Sequence, residues 1–203
     1  MNFFAFSLIM GSLWGIGEIL IWNFLKILNI GIKSPFVFAY GIFILTLSRK
    51  IYDKKGISLL IGLIAISFKF LNSSIFLCQF VAVLIEAICF EIGFLLIPYF
   101  KNFYRILIPL FSTYFSFAGF AFSIVYILKM EGWVKRGKSG IIHYITVNGS
   151  LAFLFSILAF NLALLLYNHI FNKKTEKIII LFKKYGLKFS ILFFILSWIW
   201  INL

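Results

Sequence analysis

Seven apolar stretches, joined by short segments rich in lysine and arginine, take up nearly all of this chain: Phe3–Leu25, Pro35–Ser48, Ile57–Leu71, Phe76–Pro98, Phe103–Leu128, Gly149–Phe171 and Phe189–Leu203. A hydrocarbon core is about 30 Å thick, so a spanning helix needs roughly 17–25 residues. The pattern predicts an all-α fold, a polytopic membrane helix bundle with six core spans plus a seventh C-terminal span. The second, third and seventh stretches are short. Their ends must extend into neighbouring residues, or the bilayer must thin around them. Composition agrees: hydrophobic residues make up 63% of the chain and charged residues 12%, with a mean hydropathy of +1.08, far from the soluble norm. Residues 1–171 read as a six-helix membrane core, and 172–203 as an amphipathic basic segment followed by the last span. No length remains for a soluble catalytic or nucleotide-binding domain.

The net charge of +13 does not point to nucleic acid, because the basic residues sit at span ends, where they set topology and meet anionic lipid. Arg49, Lys50, Lys54, Lys55, Lys101, Arg105 and six lysines between Lys173 and Lys188 fall on one side, twelve in all; seven fall on the other. The positive-inside tendency puts the richer side, and with it the N-terminus, in the cytoplasm of a prokaryotic cell membrane. Met1–Phe6 has no basic start and no small-residue cleavage site follows, so no cleaved signal peptide is expected. In Thr175–Lys188, Ile178, Leu181, Phe182 and Tyr185 recur at helical spacing between lysines, the pattern of a helix lying on the inner leaflet.

Ser7, Gly11, Gly15 and Glu18 share one face of the first span. Small residues at this spacing let a second helix approach closely, either from within the chain or from another membrane subunit. Three acids fall inside predicted spans: Glu18, Glu86 and Glu91. An ionised acid at the bilayer centre costs at least about 2.5 kcal/mol, so each needs a partner, water or a proton. Gln79 and Glu86 share a face of the fourth span, whereas Glu91 lies about 140° round from Glu86. One acid can therefore line a cavity while the other meets a neighbouring helix. Lys69, near a span end, has the length to snorkel to the interface. Cys78 and Cys89 are about 16 Å apart along one helix and cannot bond to each other.

The connection from Lys129 to Tyr144 is the longest polar segment on the side predicted to face outward. It contains Gly132-x4-Gly137-Lys138-Ser139, which matches a phosphate-loop pattern in letters. That motif works between a strand and a helix, a setting missing here. A glycine-rich basic loop carrying Trp133, Arg136, His143 and Tyr144 could instead close over a small solute, since aromatic faces and a few polar donors make a ligand site. Anchoring in lipid headgroups is the plainer alternative. No HExxH, GxSxG or CxxC occurs, and the two histidines, His143 and His169, support no metal cluster. No enzyme, cofactor or metal is expected. A lipid-processing enzyme would have to draw on the sparse set His143, Glu131 and Arg136.

The length, the Ser7/Gly11/Gly15 face and the run Gln79-Phe-Val-Ala-Val-Leu-Ile-Glu86-Ala together resemble the substrate-binding S components of energy-coupling factor transporters, small prokaryotic vitamin-capture proteins of mostly six helices. The resemblance covers most of Met1–Phe171. It implies that Ser7, Gly11 and Gly15 meet a membrane coupling subunit working with cytoplasmic ATPases, and that Gln79, Glu86 and loop residues Trp133, Arg136, His143 and Tyr144 surround the solute. The extra basic segment and last span depart from six helices. The start Met1-Asn2, where the metal-specific branch has Met-His, argues against nickel or cobalt capture. The expected function is high-affinity capture of a vitamin or precursor for uptake. A stand-alone proton-coupled carrier using Glu86 or Glu18, and a non-catalytic assembly subunit, are the rivals. A cavity at the outer end separates capture from assembly, because an assembly subunit is expected to have a solid core.

Overall fold

The computed structural model describes residues 3–71, 77–96, 103–171, 186–197 and 199, and among these every regular element is helical. The helices are α1 (Phe3–Ile27), α2 (Ser34–Ile51), α3 (Ile57–Ser67, prolonged by a 3₁₀ turn Phe68–Leu71), α4 (Leu77–Leu96), α5 (Tyr104–Phe122), the short α6 (Glu131–Val134) and α7 (Gly137–His143), α8 (Gly149–Leu166) and α9 (Gly186–Ser197). Among the described residues, four helical segments are long and apolar enough to cross a membrane: Phe3–Ile27, Leu77–Leu96, Tyr104–Ile127 and Gly137–His169. The expected count was six plus one. α2 ends in Arg49 and Lys50, and α3 and α9 are short, so these three do not meet the same measure. At 1.5 Å per residue the eleven residues of α3 rise only about 16 Å.

One boundary moves substantially. The segment expected to be a flexible loop before Gly149 is mostly helical, because α7 runs through a π turn (Tyr144–Asn148) directly into α8. Four glycines do not prevent this, since only Gly137 needs a left-handed backbone, with φ of +66°. Sequence segments 72–76, 97–102 and 172–185, together with Trp198 and 200–203, lie outside the described residues. Most of the amphipathic surface helix and the C-terminal end of the last span therefore fall there.

Six helices close a ring in the order α1, α2, α8, α5, α4, α3 and back to α1, and α2 also reaches α3 and α4 across the middle. The α1–α3 contact uses the small-residue face. A Cβ added at Gly11 would fall 2.6 Å from Ile64 Cβ, and one at Gly15 would fall 2.8 Å from Phe68. Ser7, Gly11 and Gly15 are buried there. Their partner is α3 of the same chain, so the face expected to meet a coupling subunit is already covered.

Polarity is distributed as a lipid-facing protein requires. Leu154, Leu158, Leu162 and Leu165 form an exposed stripe along α8, while Ser156 on the opposite side is fully buried. Many serine and threonine side chains, with Glu18, Arg49, Lys69, Glu86 and Glu91, turn inward, away from the apolar exterior. Thr46, Ser48 and Ser12 each donate to the carbonyl four residues back. The centre is Trp14, fully buried among Ile42, Leu45, Ile61, Val83, Ala87 and Phe90. α9 meets the bundle beside α1 and α3, where Phe194 stacks edge-on to Phe68.

Candidate functional site

The three acids inside the helices have three different surroundings. Glu91, near the C-terminal end of α4, accepts hydrogen bonds from the backbone N–H groups of Gly56 (2.7 Å) and Ser58 (3.3 Å) and lies 3.7 Å from Arg49. It thus caps the start of α3, where free N–H groups and the helix dipole favour an anion. Arg49 also pairs with Asp53 (3.1 Å) and lies over the Phe94 ring. Glu18 accepts from Trp14 Nε1 (2.9 Å) and forms a close ion pair with Lys69. Lys69 does not snorkel outward; it is buried in the turn that ends α3.

Glu86 stands apart. It is 4% exposed, its Oε1 has no hydrogen-bond partner, and no ion pair holds it. Its carboxyl rests against Gly41 of α2, where any Cβ would overlap Oε1. A buried carboxylate oxygen without a donor costs about 1–3 kcal/mol or more.

Glu86 faces a cavity of about 620 Å³ at one end of the ring. The volume lies within the roughly 300–1,000 Å³ of small-molecule sites. The C-terminal ends of α1, α3 and α5 and the N-terminal ends of α2, α4 and α8 surround it. α4 contributes Cys78, Gln79, Ala82, Val83 and Glu86 from one face. α5 contributes Ser116, Phe117 and Phe120, and the buried Ser116 hydroxyl adds a polar group to this wall. Trp133 and Arg136 come from the α6 region, and Tyr144 and Asn148 from the π turn. Such turns shift side chains round a helix and recur at functional sites.

These aromatics form a connected wall. Tyr144 stacks on Phe117 at 5.1 Å, Trp133 meets Tyr144 edge-on at 4.8 Å, and Phe120 meets Trp133 at 5.3 Å. Arg136 lies 4.3 Å over the Trp133 ring.

Of the six residues expected around a solute, Gln79, Glu86, Trp133, Arg136 and Tyr144 line this one cavity. His143 does not. It is exposed, because one residue before Tyr144 on a helix points about 100° away. The phosphate-loop letters fall on α6 and α7 with no strand among the described residues, so the backbone cradle that motif needs is not formed. Cys78 and Cys89 are free, and no group of three metal-ligating side chains occurs among the described residues.

The sequence reading missed the contribution of α1 and the α1–α2 turn: Trp22, Asn23, Lys26, Lys33 and Ser34. The signal was present as Trp22-Asn23-x2-Lys26, polar positions in the last turns of an apolar helix. No protein-family model matches the chain, and neither a curated protein nor a solved structure matches it.

Proposed function

We propose that this chain captures a small organic solute, a vitamin or precursor, in the cavity at its outer end and delivers it inward with a membrane coupling subunit and cytoplasmic ATPases, in the manner of the S components it resembles. The observation that carries the reading is Glu86: a buried carboxyl, unpartnered at Oε1, facing a cavity of about 620 Å³ with aromatic walls. Glu18 and Glu91 are each paired within the chain, whereas Glu86 is not. In this reading six core spans plus a seventh lie in a prokaryotic cell membrane. The N-terminus is cytoplasmic, the cavity opens outward, and the lysine-rich side meets anionic lipid. The Ser7/Gly11/Gly15 face forms no part of the docking proposal, since α3 covers it.

The test is direct. Protein purified in mild detergent is denatured, and the released small molecules are identified by mass spectrometry. In parallel, vitamins and their precursors are titrated while tryptophan fluorescence is followed, because Trp22 and Trp133 line the cavity. One equivalent of a bound or tightly binding solute is expected. An empty protein that answers to none of them, and brings down no coupling subunit, overturns the reading. The same carboxyl also favours a second reading, a proton-coupled carrier with Glu86 as relay. Unchanged pH-driven transport by Glu86→Gln protein in vesicles eliminates it.

A further inference from the structure

Building on capture in this cavity, we propose that the solute is an elongated amphoteric molecule: an amine or ring N–H group meets Glu86 at the floor, a flat ring lies along the aromatic wall, and an anionic group meets lysine and arginine at the mouth. The floor is acidic because of how its charges are already committed. Lys69 is taken by Glu18, and Glu18 also holds Trp14, which leaves Glu86 as the carboxyl with an open oxygen. Ionised, the carboxylate accepts hydrogen bonds, so the partner that suits Glu86 is a donor, best a cationic one, which also holds the acid in its charged form. The Ser116 hydroxyl, which also lines the cavity, adds a group that both donates and accepts.

The mouth has the opposite sign. Lys26 ends α1, Lys33 precedes α2, and Arg136 lies between α6 and α7, and all three line the cavity. The acids lining it are Glu18 and Glu86, both buried in the interior. Nothing acidic that lines the cavity therefore neutralises the rim. An entering anion meets several cations focused at a low-dielectric opening.

The two ends are separated. Lys33 and Gly41, which abuts Glu86, are eight positions apart along α2, a rise of about 12 Å. Flexible rim side chains shorten that span, yet a compact solute with one charge can serve only one end. It would leave either the carboxyl or the rim unpaired, and discrimination is strong when a buried polar group is left without its partner. Between the ends, the walls of Phe117, Phe120, Trp133 and Tyr144 suit a flat ring.

The full-length protein in detergent is titrated with three probes of one shape: 6-(aminomethyl)-2-naphthoate, 2-(aminomethyl)naphthalene and 2-naphthoate. The first should bind at least about tenfold more tightly than either of the others, the step expected for one added charge-assisted contact. Glu86→Gln should erase its advantage over 2-naphthoate, and Lys33→Gln combined with Arg136→Gln should erase its advantage over the amine. His143→Ala, at an exposed side chain off the cavity, should keep the whole preference, and the unfolding of each variant in detergent reports that it still folds. Equal binding of the three probes, or tightest binding of either single-charge probe, overturns the amphoteric assignment and leaves capture standing. No binding by any probe also overturns it, while capture is judged separately by the copurified molecule. A copurified solute with no anionic group, or with no donor, has the same meaning.

Discussion

The two ends of the bundle hold the same kinds of charged residue and use them differently. At the closed end, Glu91, Arg49 and Asp53 meet one another and the backbone at the start of α3, and each acid has a donor. At the cavity end, Glu18 and Lys69 form a similar pair, but Glu86 beside them has none at Oε1. Paired acids in an apolar interior fasten helices together. An acid whose partner is left out, with space in front of it, is arranged for something that arrives from outside. This contrast between two partnered acids and one unpartnered acid is what the proposed ligand-binding role of Glu86 rests on.

The comparison breaks most readily at the closed end. Arg49→Ala strips Glu91 of its cation and should destabilise the fold by about 3–5 kcal/mol, as removal of one member of a buried pair does. Unfolding in detergent measures this, and a change below about 1 kcal/mol would show that the end is not held by these charges. Next, Gly11→Val forces α1 away from Ile64 and should cost about 1–3 kcal/mol. If stability is kept, the α1–α3 contact is looser than described. Glu86→Gln should do the reverse of Arg49→Ala: stability within about 1 kcal/mol of the native protein, because no partner is orphaned, with solute affinity reduced about tenfold or more. Large destabilisation with affinity retained would move Glu86 into the structural class. Smallest of all, His143→Ala should change neither unfolding nor binding measurably, because the side chain is exposed and off the cavity.

Much of this was legible in the order of residues. The helical periodicity that put Gln79 and Glu86 on one face, and Glu91 off it, needs only 100° per residue, and the two faces do meet different surroundings. The apolar runs marked where helices lie, because no other use of so many leucines, isoleucines and phenylalanines is compatible with water. The length of the helix ending at His169 was not legible: glycines at 137 and 140 read as a loop ahead of a span from Gly149, yet the helix that begins at Gly137 runs on to His169. Nor was the use of the small-residue face. Ser7, Gly11 and Gly15 show that a helix comes close but not which one, and the answer depends on α3 folding back beside α1.

By itself the sequence determined that this is an apolar helical chain with its cations at helix ends, because hydrophobicity and helical period are properties of neighbouring residues. Which of three buried acids stays unsatisfied is a property of groups far apart in the chain: Glu18 with Lys69, Glu91 with Arg49 and Gly56, Glu86 with the bare backbone of Gly41. Only the packed ring decides that, since partnership in an apolar interior is a matter of a few ångströms and no spacing along one helix specifies it.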